Sequence, residues 1–449
     1  MEYKMNTKMN ISLPKYEQYK DSGVEWLGEI PEEWQTTKVK NVFTLIIDPA
    51  PKNNAFELLS VYTDIGVKPR RELEERGNKA STTDGYWFVK KGDIVVNKLL
   101  AWMGAIGVSN YDGVTSPAYD ILRAKIKIES NFFHYLFRND ACISELKRHS
   151  RGIMDMRLRL YFDKFGDIII PFPKYEEQLN IVSFLDRKTA IIDQAIGINE
   201  KQIELLKERR QILIHKAVTR GLNPDVKMKD SRVEWIGEIP EGWEVKKLRY
   251  LANCFPSNVD KHSKVNEKEV RLCNYTDVYK NDFITDDMDL MVATASDEQI
   301  NKFTLKKGDI VITKDSETAS DIAVPTYIKE NLTNVICGYH LAIIKTYQIN
   351  YSKYLFQALK TKLFNTQFEI CSNGITRVGL GNSDLRNGYF LLPSPQEQIE
   401  IAEFIEKGTA KIATAISLKE QEIEKLKEYK ATLINSAVTG KIKVCEPIN

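Results

Sequence analysis

Residues 147–164, KRHSRGIMDMRLRLYFDK, set Lys147, Arg148, Arg151, Arg157, Arg159 and Lys164 against two acids, Asp155 and Asp163. A guanidinium grips a phosphate or takes a guanine edge bidentately, so this spacing could hold or read a nucleic acid. Tyr161 and Phe162 add planar faces beside it. The competing reading is a solvated charged face, the usual fate of a charge run. Arg70 and Arg71 form a second basic group, partly cancelled by Glu72, Glu74 and Glu75. In the second half of the chain the corresponding loop offers only Arg377 and Arg386, while Lys98 and Lys314 close two matching apolar runs. The candidate nucleic-acid contacts are therefore Arg70, Arg71, Lys98, Arg148, Arg151, Arg157, Arg159, Tyr161, Lys314, Arg377 and Arg386.

Patterns for catalysis are missing. There is no Gly-x-x-x-x-Gly-Lys-Ser/Thr loop to cradle a nucleotide phosphate. Gly374, Gly379 and Gly381 lack the spacing of a dinucleotide fingerprint, and Asp48-Pro49-Ala50-Pro51 is not the Asp/Asn-Pro-Pro-aromatic tetrapeptide of amino-methyltransferases. Glu145-Leu146-Lys147 after Asp140 lacks the strand context of a nuclease motif, and no GxSxG occurs. The five histidines make no metal-spaced pair, and the six cysteines show no CxxC, so neither a metal site nor a disulfide framework is expected. The chain reads as non-catalytic, with no cofactor of its own. A net charge of +2 over 449 residues gives no global field toward DNA or membrane, which leaves room for a local basic surface. With no apolar leader region and no 18-residue apolar run, the expectation is a cytoplasmic protein that does not engage a membrane.

Two long helices must position these residues. The run from Pro173 to Gly221 returns without a gap at 393–441, an offset of 220 residues. In the first copy Ile192, Ile196, Ile203, Leu206 and Leu213 fall in steps that alternate between four and three, interrupted by Asn199 and Arg210. In the second Ile412, Ile416, Ile423, Leu426 and Leu433 keep the same register, interrupted by Lys419 and Lys430. An apolar period of 3.5 is a coiled-coil seam. A pseudo-twofold relation between the halves makes the pair antiparallel. The polar interruptions either pin the register or lie at the wet edge of the seam. Ile198, Leu205 and Ile212 widen the first apolar stripe, which faces either a partner protein or a domain of this chain. Ser394-Pro395-Gln396-Glu397 is a capping box with proline at the first helical position, and glycine ends both helices.

What precedes each helix is also repeated. DSGVEWLGEIPEEW from Asp21 answers DSRVEWIGEIPEGW from Asp230, with twelve of twenty-one positions identical over the wider match. Proline forces Ile30 and Ile239 into extended backbone. The flanking Trp26, Trp34, Trp235 and Trp243 either anchor a core or offer stacking platforms. VKKGDIVVNK (89–98) answers LKKGDIVITK (305–314), and Ser150-Arg151-Gly152-Ile153 answers Ser372-Asn373-Gly374-Ile375. Tyr62-Thr63-Asp64 answers Tyr275-Thr276-Asp277, and Tyr135-Leu136-Phe137 answers Tyr354-Leu355-Phe356. Residues 114–125 and 335–346 read as strands, and 130–150 and 352–372 as amphipathic helices. Colinear landmarks with drifting offsets mean two copies of one fold with different loops. The division is a polar tail 1–13, a globular segment 14–172, a helix 173–221, a second globular segment 222–392, a second helix 393–441 and a tail 442–449. The fold class is α+β: two duplicated mixed α/β domains separated by two long helices that form an antiparallel coiled coil.

YKDSGVEWLGEIPEEW (19–34) with its copy, Pro173 with EEQL, Pro393 with QEQI, and the endings LIHKAVTRGL (213–222) and LINSAVTGKI (433–442) together resemble the specificity subunits of type I restriction–modification systems. The resemblance covers nearly the whole chain from Pro14. It implies two target-recognition domains, each reading one half of a bipartite, asymmetric double-stranded DNA target, with the helices fixing the spacer. It implies partners: two modification subunits that use S-adenosylmethionine to methylate adenine, and restriction subunits that use ATP and Mg to translocate and cut. It supplies no readout residues, because such domains diverge with the sequence read. Two other classes remain: a coiled-coil scaffold that binds only proteins, and a self-contained methyltransferase or nuclease. Binding of a specific duplex together with modification subunits excludes the first, and methylation by the chain alone would revive the second.

Overall fold

The structure, a computed structural model, describes residues 14–72, 83–152 and 158–444. The polar tail 1–13, Glu74, Glu75, Arg157 and residues 445–449 lie outside the described residues. The chain forms two compact units: Met1–Glu200 with Glu420–Asn449, and Lys201–Lys419. Each unit holds one globular segment and part of each long helix.

In the first unit a four-stranded antiparallel sheet runs in the order Phe43–Ile46, Tyr119–Ala124, Ile94–Asn97, Ile106–Val108. Side chains alternate across a strand. Ile94, Val96 and Leu122 join a core with Phe132 and Phe133, while Val95 and Ile121 join a smaller one with Leu59 and Val67. Both faces are covered, which is why the run Ile94-Val95-Val96 is apolar without alternation. The entry motif forms a hairpin, Tyr19–Asp21 against Glu29–Pro31, with Ile30 extended as expected. Trp34 is fully buried and Trp26 packs against the same core, so these tryptophans are anchors.

The second unit repeats the plan with a five-stranded sheet: Ala252–Pro256, Leu341–Thr346, Ile310–Thr313, Pro325–Ile328, Phe283–Ile284. Ile310 and Ile312 face one core, Val311 and Ile343 another. A second sheet, Met291–Ala295, Lys268–Cys273 and Val335–Cys337, covers that other core. Trp243 is buried, whereas Trp235 is 39% exposed.

Three sequence expectations are corrected. The two expected strands are each broken, into Gly113–Thr115 and Tyr119–Ala124 and into Val335–Cys337 and Leu341–Thr346. The two expected helices are each broken, at Arg138-Asn139 and at Lys360-Thr361. Asn139 caps the second piece by accepting from the Cys142 amide at 2.9 Å. Lastly, the YLF triplets are three residues out of register. Ser130 and Ser352 both donate to the carbonyl of the preceding Gly-Asp turn, Gly92 and Gly308, which fixes an offset of 222. Trp34 against Phe132 and Trp243 against Tyr354 agree with that offset.

The long helices span Tyr175–Arg220 and Pro395–Val438. Their pairing is antiparallel within each unit. In the first, Ile192 and Leu433 share a core, flanked by Ile196 and Leu426. In the second, Ile214 and Val218 share one with Ile401 and Ile405. The seam positions are buried or half-buried throughout, while Ile198, Leu205, Ile212 and Leu418 beside them are exposed. The repeated Pro-x4-Gln signature has a structural cause: Gln178 and Gln398 are buried and donate to the Pro173 and Pro393 carbonyls at 2.9 and 2.8 Å. Of the polar interruptions, Asn199 is buried, Lys430 pairs with Asp193 at 2.7 Å, and Arg210 leaves the seam for Asp282 at 2.5 Å.

Candidate nucleic-acid interface

Each unit builds a loop cluster at the end of its repeated apolar strand. The Gly-Asp turn that starts the strand is locked alike in both. Asp93 accepts from the Lys90 amide at 2.8 Å and takes Arg123 bidentately; Asp309 accepts from the Lys306 amide at 2.9 Å. At the far end Lys98 and Lys314 use their carbonyls to hold a hairpin, accepting from Leu160 at 2.9 Å and Leu380 at 2.8 Å. The loops expected from the Ser-Arg/Asn-Gly-Ile repeat are closed by backbone pairs in both units, with Ile153 and Asp155 of the first lying outside the described residues. Arg151 pairs with Arg159 through two 2.9 Å backbone bonds, and Asn373 pairs with Gly379. A Cβ at Gly374, where φ is +147°, would collide with the Arg377 carbonyl, so this hairpin needs glycine there.

In the first unit the hairpin arms bring Arg151, Arg159 and Tyr161 together on the surface, Tyr161 being 44% exposed. Arg148 lies in the last turn of the neighbouring helix, Asp140–His149, and is tied to Glu145 at 2.9 Å and Glu25 at 3.4 Å. Lys147 lies over the Trp102 ring, and Leu99, Leu100 and Met103 are exposed nearby on the loop after Lys98. Lys98 itself turns inward, to Asp120 at 3.3 Å and the Pro117 carbonyl at 2.9 Å. Arg70 and Arg71 sit on a short 3-10 turn, with Arg71 paired to Glu57 at 3.2 Å. Buried Asp120 has its carboxyl pushed up by burial, against the pull of Lys98.

In the second unit the equivalent place is crowded with other chemistry. Lys314 bonds Asp315 at 2.8 Å, and Asp315 receives His340 Nδ1 at 3.0 Å. Burial alone would raise the Asp315 carboxyl; Lys314 and His340 outweigh it and hold it below its ordinary value. Burial lowers the His340 imidazole, opposed by Asp315 and helped by Arg377. Since an ionised carboxylate only accepts, Nδ1 carries the proton of the neutral ring. His340 has φ of +72°, a conformation that costs a non-glycine residue about 1–2 kcal/mol. Tyr275 stacks on Tyr279 and its hydroxyl meets Ser316 at 3.0 Å. Arg377 is exposed on this hairpin, but Arg386 sits apart on a short helix, Asn382–Asn387, beside strand Ala252–Pro256.

Asp315, Tyr339 and His340 do not stand out in the sequence, because the apolar run 335–346 reads as one strand. Gly338 inside that run is the available signal, since glycine within an apolar strand marks a bend or close approach. A Cβ at Gly338 would lie 2.8 Å from the Cys273 carbonyl oxygen. Among the described residues no group of histidine, cysteine and acid side chains could hold a metal. No helix there is long and apolar enough to cross a membrane.

Two copies of one mixed α/β fold, with register-matched scaffolds and unlike loop clusters, define a duplicated recognition protein. Residues 31–208 and 240–428 match the type I restriction modification DNA specificity domain, and the chain belongs to that family, the specificity subunits of type I restriction–modification systems. It is 25% identical to the type I restriction enzyme MjaVIII specificity subunit of Methanocaldococcus jannaschii, over 92% of this chain and 94% of that protein. It is 21% identical to the EcoKI specificity subunit of Escherichia coli, over 92% and 90%. Its fold is similar to that of the HsdS subunit from Thermoanaerobacter tengcongensis, with a TM-score of 0.52 at 14% identity, covering 92% of this chain and 98% of that one. A chain from a study of complex assembly and conformational transition of the type I system gives a TM-score of 0.67 at 13% identity, covering 91% and 98%.

Proposed function

We propose that each globular segment is a target-recognition domain reading one half of a bipartite, asymmetric DNA target, and that the long helices set the spacer. The observation that carries this is the match of scaffold and mismatch of surface. The Gly-Asp turn, the serine that bonds it, and the strand-end carbonyl that holds the hairpin recur in both units. The side chains on the loops they hold do not. Identical domains related by a twofold axis read a palindrome; unlike ones read an asymmetric sequence. Arg151, Arg159 and Tyr161 are the contacts of choice in the first domain, and Arg377 in the second. Lys98 acts by holding its loop. Two modification subunits bring S-adenosylmethionine and methylate adenine in each half-site; restriction subunits bring ATP and Mg.

The test is to map N6-methyladenine across a host genome with and without the gene. The expected result is one gene-dependent motif with two unlike halves and a fixed gap. A gene-dependent continuous or palindromic motif, or none in a host carrying the modification subunits, overturns the proposal. Within that assay, Arg151→Ala with Arg159→Ala should weaken modification at one half-site. The salt dependence of binding should fall by about one unit of slope for each phosphate that the pair no longer neutralises.

A further inference from the structure

The turn 338–340 of the second unit stands out once the two loop clusters are aligned by their strand register. In the first unit the matching residues are Ser116, Pro117 and Ala118, since Tyr119 opposite Asn97 corresponds to Leu341 opposite Thr313. There the turn is small: Ser116 accepts from the Ala118 and Tyr119 amides within the turn, and the Pro117 carbonyl caps Lys98. In the second unit the same place carries a tyrosine and a histidine.

Tyr339 is 50% exposed, and its hydroxyl has no hydrogen-bond partner among the described residues. Everything beneath it is fixed. Its amide bonds the Val259 carbonyl at 2.7 Å, and the preceding Gly338 amide bonds the Cys273 carbonyl at 2.8 Å. Its ring lies against the His340 ring. His340 is held in the left-handed region by its carbonyl, which accepts from the Lys314 amide at 2.8 Å, and by its Nδ1, which meets Asp315 at 3.0 Å. Asp315 in turn pairs through its backbone with Gly379, on the hairpin that carries Arg377. The exposed phenol therefore stands on a chain of bonds reaching the neighbouring basic loop.

We infer that Tyr339 is a base-contacting residue of the second half-site, and that His340 and Asp315 are its positioning residues. The inference rests on the reading of this unit as a DNA-recognition domain. A tyrosine offers a hydroxyl that donates and accepts and a ring that packs on the thymine methyl in the major groove. Fixing it on an anchored turn removes the ordering that a free side chain would undergo on binding. A half-buried histidine bonded to a carboxylate orients the ring tilted against it, and a left-handed residue at 340 turns the backbone so that 339 faces outward.

The experiment uses the full chain with its modification subunits, presented with a randomised duplex library and read out by methyladenine mapping. Tyr339→Ala should relax base preference at one or two positions of the second half-site by at least tenfold, leaving the first half-site and the gap unchanged. Tyr339→Phe should keep any thymine preference and lose preference that depends on the hydroxyl. His340→Ala should relax the same positions, and His340→Asn should restore much of the preference, because asparagine tolerates the left-handed region and can donate to Asp315. A merely structural role predicts instead a lower melting temperature with an unaltered motif. If the wild-type motif is bipartite and Tyr339→Ala retains every base preference, the inference is wrong while the proposed function stands. If the wild type yields no bipartite motif, the functional reading itself has failed.

Discussion

The turn 116–118 of the first unit and the turn 338–340 of the second occupy one place in one scaffold, yet they solve different problems. The first is short of functional groups and serves the lysine below it: Lys98 is pinned between Asp120 and the Pro117 carbonyl. In the second, Lys314 bonds the adjacent Asp315, which also holds the half-buried His340, and the turn presents Tyr339 to solvent. The same strand-end lysine is an internal strut in one copy and the foot of an exposed aromatic platform in the other. Duplication kept what holds the loops and released what the loops display.

The strongest way to break this comparison is to leave both loop clusters intact and change only what connects them. Removing one heptad from each long helix takes about 10 Å from their length at 1.5 Å per residue. The gap in the methylated motif should shorten, by at most about three base pairs at ~3.4 Å per pair, with both half-sites unchanged. Altered half-site bases with an unaltered gap would show that the helices do not set the spacing.

Next in size is the shared foundation. Trp34 and Trp243 are buried equivalently, each with an edge-on aromatic partner. Trp34→Ala and Trp243→Ala should each lower the unfolding free energy by about 3–5 kcal/mol in urea titrations. A drop below about 1 kcal/mol at either site would mean the two cores are not the matched pair described.

Much of this foundation was legible in the sequence, and the reason is that repeated backbone problems demand repeated residues. The Gly-Asp turn needs glycine in the left-handed region, at φ of +93° and +94°, and an aspartate to cap its own amides, so GDIV appears twice. The seam needs apolar residues every 3.5 positions, so it could be counted. The YLF triplets mislead because apolar runs on amphipathic helices look alike; the true register lies in Ser130 and Ser352, whose hydroxyls have a specific partner. Arg151, Arg159, Tyr161 and Arg377 stand out by type, whereas Tyr339 and His340 do not, since the apolar run 335–346 reads as one strand and their partners Val259 and Asp315 are distant in sequence. Lys98 stands out in the sequence by its charge, but only the fold reveals Asp120 beneath it.

The two copies also differ beneath the surface. Arg138 and Lys360 are register-matched, but Arg138 donates to the backbone carbonyls of Tyr62, Thr63, Gly104 and Ile106, whereas Lys360 joins Arg210 on Asp282 at 2.6 and 2.5 Å. Burial would raise the Asp282 carboxyl; Lys360 and Arg210 outweigh it and hold it below its ordinary value. A carboxyl that titrates lower in the folded chain adds stability that is complete above the unfolded value, about 4, and is lost as pH falls through the folded value. Asp282→Asn should therefore lower the unfolding free energy at pH 7 by about 1–2 kcal/mol, allowing for the side chain's partial exposure. The gap between variant and wild type should close as pH drops below about 4. A gap that persists at about pH 2 would place the effect in packing and not in charge.

The smallest effect concerns the seam. Lys430 and Arg210 sit 220 residues apart at matching heptad positions, yet Lys430 stays on the helix pair and bonds both oxygens of Asp193 at 2.7 Å, while Arg210 leaves it for the globular segment. Lys430 is 31% exposed and Asp193 54%, so water screens the pair and the two side chains lose rotamer freedom in forming it. A double-mutant cycle on Lys430→Ala and Asp193→Ala should return a coupling of about 0.2–1 kcal/mol, fading in high salt. That range means the apolar seam alone fixes the antiparallel register and the ion pair decorates it. A coupling above about 2 kcal/mol, insensitive to salt, would reverse the assignment. Lys430 would then be the residue that pins the helices, and its counterpart Arg210 would be free to hold the second domain because the register is already set elsewhere.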